Sequence, residues 1–190
     1  MKKFTTILAT CVAVMALIAP AACEKKGPYA EGKAAAGSTQ SAADTAGSKE
    51  IVWSGYTEGM KKAKETGKPV MVDFYTTWCK WCKTLDETTY KDADIVRMLN
   101  NDFIAIKVNA ESTAKIMEDG KEMTEADLAK KLQVSGFPTI WFFDKDGKQI
   151  APLSGYNPPE EFKPILGYIS GGSYAKGIKY EDYLKSMQKK

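Results

Sequence analysis

Short apolar runs alternate with amphipathic stretches along the chain from about residue 51 onward. Three of the runs have the length of β-strands, at residues 70–75, 103–108 and 139–143, and the first of them has the composition of a buried strand. A turn at Asp146-Gly147 predicts that residues 149–153 return as a fourth strand. Apolar positions elsewhere recur with helical spacing, which predicts helices near residues 57–66, 79–90, 92–100, 124–132, 158–170 and 179–188. Strands that alternate with helices predict an α/β fold, in which helices flank a central mixed sheet.

The helix predicted over residues 158–170 contains two residues that disfavour a continuous helix. Pro164 has no amide hydrogen, and its ring collides with the preceding helical turn. Gly167 follows three residues later. We therefore expect this helix to be kinked or split.

Residues 1–22 have the pattern of a signal peptide. Two lysines near the start precede an apolar stretch at residues 7–18, which is too short to span a membrane well, and small residues follow. Alanines near the end of this segment fit ordinary secretory cleavage, whereas residues 21–23 resemble the cleavage site of bacterial lipoproteins, in which Cys23 becomes lipidated. Pro20 departs from that second motif. Export to the periplasm is expected by either route, and a retained signal anchor is the remaining alternative.

Residues 23–49 have the composition of a disordered linker. They are rich in alanine, glycine, serine and charge, and Tyr29 is their single aromatic residue. Such a segment cannot bury enough apolar surface to offset the entropy of ordering it. As a flexible coil it would reach roughly 30 Å, which suits a tether between a lipid anchor and a folded domain at residues 50–190. An ordinary disordered N-terminus is the alternative.

The composition allows one folded domain and excludes several classes of function. The 190 residues are 44% apolar, which is enough for one hydrophobic core. The formal net charge of +3 falls to +1 once the two lysines of the signal peptide are removed, and no basic stripe indicates a nucleic-acid partner. The chain has no histidine, which excludes Ser-His and Cys-His catalytic pairs and any histidine-containing metal site.

Only two of the four cysteines, Cys79 and Cys82, lie in the predicted folded domain. A zinc site needs four ligands, and the chain offers neither a second cysteine pair there nor a histidine, so we expect no metal. A disulfide that closes so short a loop removes little entropy from the unfolded chain, and a haem site would need a histidine after Cys82. The pair is therefore predicted to be redox-active without a cofactor.

The position of Cys79 predicts which thiol attacks. A strand that turns into a helix here places Cys79 at the helix N-terminus, where unpaired amides and the helix dipole stabilise a thiolate. Lys80 and Lys83 add positive charge. Cys82 lies on the same helical face one turn later. We expect Cys79 to be the exposed nucleophile and Cys82 to be the shielded, resolving thiol.

Residues 72–83, which read V-D-F-Y-T-T-W-C-K-W-C-K, resemble the active-site segment of thioredoxins. The resemblance covers roughly residues 52–169 and implies a thioredoxin-like fold. It implies that Asp73 is a buried acid that takes the proton of Cys82. It also implies that Lys107 lies beside that acid. The alternatives are that Asp73 hydrogen-bonds a neighbouring loop and that Lys107 is simply solvated.

The same resemblance implies a docking surface for substrates. The segment around Phe137 and Pro138 is similar to the family's cis-proline loop, where the backbone of Phe137 would pair with an extended substrate segment. Gly155 matches the glycine that follows the family's last strand. Trp78 and Trp81 are expected to form an apolar docking rim beside the thiol, although they could instead belong to the core.

The chain differs from common thioredoxins in two features. Lys80 and Trp81 replace the Gly-Pro that is common between the cysteines, so the redox potential cannot be carried over. The chain also has an insertion around residues 111–123 and a helical extension after residue 169. Both resemble features of the exported thioredoxins of bacterial sulfur-oxidation clusters and of the C-terminal domain of the membrane thiol reductant transporter.

These patterns predict an exported thiol-disulfide oxidoreductase that works as a reductant. By resemblance, its partners would be disulfide-containing periplasmic proteins, such as sulfur-carrier proteins or apocytochromes c. A transmembrane thiol carrier would reduce it again, and it would touch the membrane only through a lipid on Cys23. One alternative is an oxidant or isomerase on the same fold. Another is a tethered binding module whose cysteines are idle.

Overall fold

The computed structural model describes residues 49–189. The predicted signal peptide, Cys23 and nearly all of the predicted linker lie outside the described residues. Between residues 49 and 189, no helix has both the length and the apolar character needed to cross a lipid bilayer.

Seven strands and six α-helices make up the described part of the chain. The strands are β1 Trp53–Ser54, β2 Val70–Tyr75, β3 Ile104–Asn109, β4 Lys115–Glu118, β5 Lys121–Thr124, β6 Thr139–Phe143 and β7 Gln149–Ser154. The helices are α1 Tyr56–Thr66, α2 Lys80–Glu87, α3 Ala93–Asp102, α4 Glu125–Lys131, α5 Pro159–Ser170 and α6 Tyr180–Gln188. A 3-10 turn at Thr89–Lys91 separates α2 from α3.

Five strands form one mixed sheet in the order β1-β3-β2-β6-β7. Strand β3 pairs in parallel with both β1 and β2, whereas β6 pairs antiparallel with β2 and β7. The prediction of an α/β fold with a central mixed sheet is confirmed. Strand β2 lies at the centre of the sheet, and this explains why residues 70–74 are all buried and read as an almost continuous apolar run.

Each face of the sheet is covered by helices. Alternation along β2 directs Met71 and Asp73 to one face, and Val70, Val72 and Phe74 to the other. Met71 belongs to a core cluster that includes residues of α2, α3 and α5, while the three other apolar residues belong to a cluster that includes residues of α1 and α4. The carboxyl group of Asp73 therefore lies on the sheet face that carries α2.

Helix α5 is continuous through Pro164, so the prediction that it is split is wrong. Phe162, Leu166 and Ile169 are buried on both sides of the proline and anchor both halves of the helix to the core. The loss of one hydrogen bond is small compared with this burial. Gly167 leaves room for a neighbour, because a Cβ atom there would lie 2.6 Å from the hydroxyl of Tyr183 on α6.

The insertion folds as a two-stranded hairpin, β4–β5, which the sequence analysis did not predict. Asp119 and Gly120 form its turn, both with positive φ. The hairpin packs on the start of α1, where the Tyr56 hydroxyl donates a hydrogen bond to Glu118 at 2.5 Å. Strand β1, which has only two residues, was not predicted from the sequence either.

Candidate active site

Cys79 and Cys82 form a disulfide at the N-terminus of α2. Strand β2 ends at Tyr75, and the chain then turns, so that Cys79 is the N-cap residue of the helix. The amide of Cys82 donates a hydrogen bond to the Cys79 sulfur at 3.0 Å. Strand β2 has the bounds that the sequence predicted, and the turn at residues 76–78 brings the sulfur to the amides at the helix terminus.

The expectation that Cys79 is exposed is wrong for this disulfide form. Cys79 and Cys82 each expose only 3% of their surface. The bond to Cys82 and the hydrogen bond from its amide draw the Cys79 sulfur against the helix end. The exposed groups at this end are instead Trp78 and Trp81, which expose 65% and 57% of their surface.

Positive charge dominates the first turn of α2. This turn contains no acidic residue, and Lys80 and Lys83 are both exposed. Unpaired amides and the helix dipole add to the positive potential at this end. A thiolate formed at Cys79 by reduction of the disulfide would be stabilised by all three contributions.

Asp73 is a buried acid on the sheet face that carries α2. It exposes 1% of its surface, and its Oδ1 atom has no hydrogen-bond partner among the described residues. Burial raises the pKa of Asp73 to about 7, against the opposing attraction of Lys107. A carboxyl group with this pKa can accept or release a proton near neutral pH.

Lys107 lies opposite Asp73 in the β2–β3 pair, and its Nζ atom is 3.9 Å from Asp73 Oδ2. The structure thus brings together the two residues that the resemblance paired. The ammonium group donates its hydrogen bond to Asp86 instead of to Asp73. It also lies 5.1–5.7 Å from the ring centroids of three aromatic residues, Trp53, Tyr75 and Tyr90.

Four aromatic side chains flank the disulfide as two pairs. The Trp78 ring meets Phe137 edge-on at 5.9 Å, and the Trp81 ring stacks on Tyr156 at 5.6 Å. We call these four residues the aromatic rim. The indole N–H of Trp78 donates a hydrogen bond to the carboxylate of Glu111, at the start of the insertion.

The peptide bond between Phe137 and Pro138 is cis. The carbonyl of Pro138 accepts a hydrogen bond from the Gly155 amide at 2.8 Å, which joins this loop to the end of β7. A groove of about 540 Å³ adjoins the loop and is lined by residues that include Phe137, Trp141 and Gly155. The groove thus begins at one member of the aromatic rim.

Comparison with known proteins identifies the fold to which this site belongs. A family model described as a thioredoxin-like domain matches residues 56–170. The chain belongs to the thioredoxin-like domain family. Family membership and the Cys79–Cys82 disulfide together support thiol-disulfide exchange as the chemistry of this site.

Sequence similarity to individual proteins is consistent with this family assignment. The thiol:disulfide interchange protein DsbD of Yersinia pestis is 37% identical over 102 residues, which are 53% of this chain and 16% of that protein. DsbD of Ralstonia nicotianae is 34% identical over 121 residues, which are 63% of this chain and 18% of that protein. The chain therefore spans less than a fifth of the length of these relatives.

Solved structures agree with the fold. A thioredoxin-fold protein from Helicobacter pylori superposes with a TM-score of 0.55 at 22% identity, over 77% of this chain and 89% of that one. A thioredoxin from Thermus thermophilus superposes with a TM-score of 0.55 at 24% identity, over 67% and 93%. At these identities the two structures support the thioredoxin-like fold and nothing finer.

Three residues of this thioredoxin-like site were not anticipated from the sequence. Asp86, Glu111 and Tyr156 contact Lys107, Trp78 and Trp81 respectively. Asp86 could have been found, because it follows Cys82 by four residues and so lies on the same helical face. The other two are more than 30 residues from their partners, and nothing local in the sequence signals these contacts. Between residues 49 and 189, no three Cys, Asp or Glu side chains are grouped so that they could hold a metal ion.

Proposed function

We propose that this thioredoxin-like chain is an exported oxidoreductase that reduces disulfide bonds of periplasmic partner proteins. The observation that carries the proposal is the Cys79–Cys82 disulfide at the N-terminus of α2, flanked by the exposed Trp78 and Trp81. A disulfide with a purely structural role needs neither the positive helix end nor exposed aromatic neighbours. A disulfide that exchanges with other proteins benefits from both.

In the reduced protein, the Cys79 thiolate attacks one sulfur of the partner's disulfide. The bond between the partner's two sulfurs breaks, a mixed disulfide with Cys79 forms, and the second partner sulfur leaves as a thiolate. Cys82 then loses its proton and attacks the Cys79 sulfur. The mixed disulfide breaks, the partner's first sulfur leaves as a thiolate, and the Cys79–Cys82 disulfide forms. Two electrons pass to the partner, which takes up two protons.

Asp73 is proposed as the base that accepts the proton of Cys82. Its burial on the α2 side of the sheet supports this role, since a raised pKa makes it a stronger base than an exposed carboxylate. Lys107 is proposed to position and partly neutralise this carboxylate. Its hydrogen bond to Asp86 keeps the ammonium group from forming a close ion pair with Asp73.

Substrate docking is proposed at the aromatic rim and along the backbone of Phe137 and Pro138. Large exposed aromatic rings next to a reactive group are typical of binding hot spots. The groove that begins at Phe137 offers space for an extended segment of the partner.

Export and membrane attachment are part of the same proposal. A signal peptide at residues 1–22 and a lipid on Cys23, followed by a linker to residue 49, would place the domain on the periplasmic side of a membrane. A transmembrane thiol carrier would supply electrons, because the compartment is oxidising. Sulfur-carrier proteins and apocytochromes c are the proposed partners. The similarity to proteins named for thiol:disulfide interchange supports exchange with other thiol proteins.

The test is reduction of insulin disulfides by the protein in the presence of dithiothreitol. We expect the native protein to accelerate insulin precipitation and Cys79→Ser to abolish the acceleration. A Cys82→Ser variant should accumulate mixed disulfides with its partners in periplasmic extracts. If the native protein is as inactive as Cys79→Ser while it still binds partners, the chain is a binding module and the proposal is wrong.

The charge around Cys79 favours a second candidate, an oxidant or isomerase on the same fold. Lys80, Lys83 and the helix N-terminus stabilise the thiolate, hence the reduced protein, and this makes the disulfide a stronger oxidant. Equilibration with defined glutathione ratios decides the direction. A potential near that of thioredoxins supports the reductant, and a much more oxidising potential supports the second candidate.

A further inference from the structure

The indole ring of Trp78 is held in place beside Cys79 from two sides. Its N–H group is 3.0 Å from each carboxylate oxygen of Glu111, and its ring packs edge-on against Phe137. The side chain nevertheless exposes 65% of its surface, more than any other large apolar residue that the structure describes. The result is an ordered aromatic surface that is open to solvent next to the reacting sulfur.

Glu111 adds a negative charge at a fixed position on the same surface. Its own amide is bonded to the side chain of Asn109 at 3.1 Å, which holds the start of the insertion in a turn. Within residues 49–189 the Glu111 carboxylate forms no ion pair, whereas Glu118 of the same insertion pairs with Lys131 at 2.8 Å. One indole N–H leaves lone pairs of this carboxylate available to a further donor.

We propose that Trp78 and Glu111 form a subsite for a basic side chain, preferably arginine, next to the partner's reactive cysteine. A guanidinium group can lie over the indole and donate hydrogen bonds to the carboxylate at the same time. Arginine suits the site better than lysine, because its planar group stacks on aromatic rings and donates two parallel hydrogen bonds. The inference rests on the proposed attack of Cys79 on partner disulfides and adds a substrate preference to it.

Two exposed lysines near the cysteines favour the opposite preference, for acidic side chains in the partner. Lys80 and Lys83 follow the two cysteines on α2, and neither forms an ion pair among the described residues. If their field controlled the approach of a partner, acidic side chains next to the partner's cysteine would be favoured. The subsite and the lysines therefore predict opposite substrate preferences.

The test uses three short peptides that differ only in the residues on either side of one cysteine, which are arginine, glutamine or glutamate. Each cysteine is linked to thiopyridine, so that attack on the peptide sulfur releases a chromophore. Second-order rate constants are measured with the reduced full chain and divided by those measured with 2-mercaptoethanol, which removes differences in intrinsic reactivity. We expect arginine to exceed glutamine by about threefold to tenfold at low salt, and glutamate to be slowest.

The variant Glu111→Gln removes the charge of Glu111 but keeps an acceptor for the hydrogen bond that positions Trp78. The glutamine oxygen can still accept the indole hydrogen bond, and the Trp78 ring can still stack on a guanidinium group. Only the charge is lost, so the arginine preference should fall by about twofold or more from its native value. Glu181→Gln is the matched control, an exposed carboxylate on α6, and it should retain the full preference.

Two results overturn the subsite, and a third concerns the proposed function. Equal rates for all three peptides, or a glutamate preference, show that Trp78 and Glu111 do not select a basic side chain. An arginine preference that is as large in Glu111→Gln as in the native protein also overturns it. If Cys79 reacts with none of the peptides faster than a small thiol does, the proposed oxidoreductase itself is wrong.

Discussion

The buried carboxyl group of Asp73 makes the stability of this protein depend on pH in a direction opposite to that of most acidic residues. Burial raises the pKa of Asp73 from an ordinary value of 3.8 to about 7. Between these two values the unfolded chain has lost the proton and the folded protein retains it. The free energy of unfolding therefore falls as pH rises through this window.

The size of the effect follows from the same two values. Each pKa unit corresponds to about 1.4 kcal/mol, so the folded protein loses up to about 4 kcal/mol as pH rises from 4 to 8 because of this one group. Asn cannot ionise and has nearly the same shape. Asp73→Asn should therefore be more stable than the native protein by up to about 4 kcal/mol at pH 8, and nearly equal to it at pH 4. Lys107 keeps a partner in the variant, because Asp86 accepts its hydrogen bond.

The assay is urea denaturation of the oxidised native and Asp73→Asn proteins at half-unit steps from pH 4 to pH 8.5. Glu181→Gln, which changes an exposed carboxylate on α6, is the control and should stay within about 0.5 kcal/mol of the native protein throughout. A stability difference between native and Asp73→Asn that is the same at pH 4 and at pH 8 would refute the reasoning. So would a variant that is less stable than the native protein at pH 8.

Three further predictions concern contacts at the site and in the hydrophobic core. Asp73→Asn should slow the release of a mixed disulfide from Cys79 by at least about tenfold at pH 7 without slowing its formation, which stopped-flow kinetics with a labelled peptide can separate. Tyr156→Ala should lower the kcat/KM for insulin about threefold to tenfold, because the Trp81 ring loses its stacking partner, while Tyr156→Phe should retain most of the activity. Gly59→Ala should lower the free energy of unfolding by about 1–2 kcal/mol, because the new Cβ would lie 2.5 Å from both Cγ1 and Cδ1 of Ile106. Ile106→Val removes Cδ1 but keeps a carbon at the Cγ1 position, so Gly59→Ala should cost less stability in an Ile106→Val background than in the native protein. An equal cost in both backgrounds would contradict this explanation.

The sequence predicted best the features that depend on neighbours in the chain. Strands β2, β3 and β6 were found from apolar runs, since strands in the middle of a covered sheet carry few polar residues. Strand β7, which is largely exposed, was found from the turn that precedes it. Cys79 and Cys82 were paired from a three-residue spacing at a helix start, which fixes their separation without help from the rest of the fold. The resemblance to thioredoxins then placed Lys107 opposite Asp73, and the register of β2 and β3 agrees.

Local patterns failed where tertiary contacts decide. Hairpin β4–β5 was missed because its strands are mostly polar and exposed, and Ile116 is its one buried residue. It is held by contacts to α1 that no pattern in the insertion indicates. Helix α5 was expected to be kinked or split around Pro164 and Gly167, yet core burial on both sides of the proline keeps it from splitting.

By itself, the sequence determined that this chain forms an α/β domain with one cysteine pair at a helix start, because propensity, hydrophobic spacing and a three-residue separation act within a few turns of the chain. Only the tertiary structure decided what surrounds that pair. Asp86 reaches Lys107, Glu111 reaches Trp78, and Tyr156 reaches Trp81 because separate elements meet at one end of the sheet. Such contacts set the proposed acidity and substrate preference of the site. They leave no local signal in the sequence, because they depend on how whole elements pack.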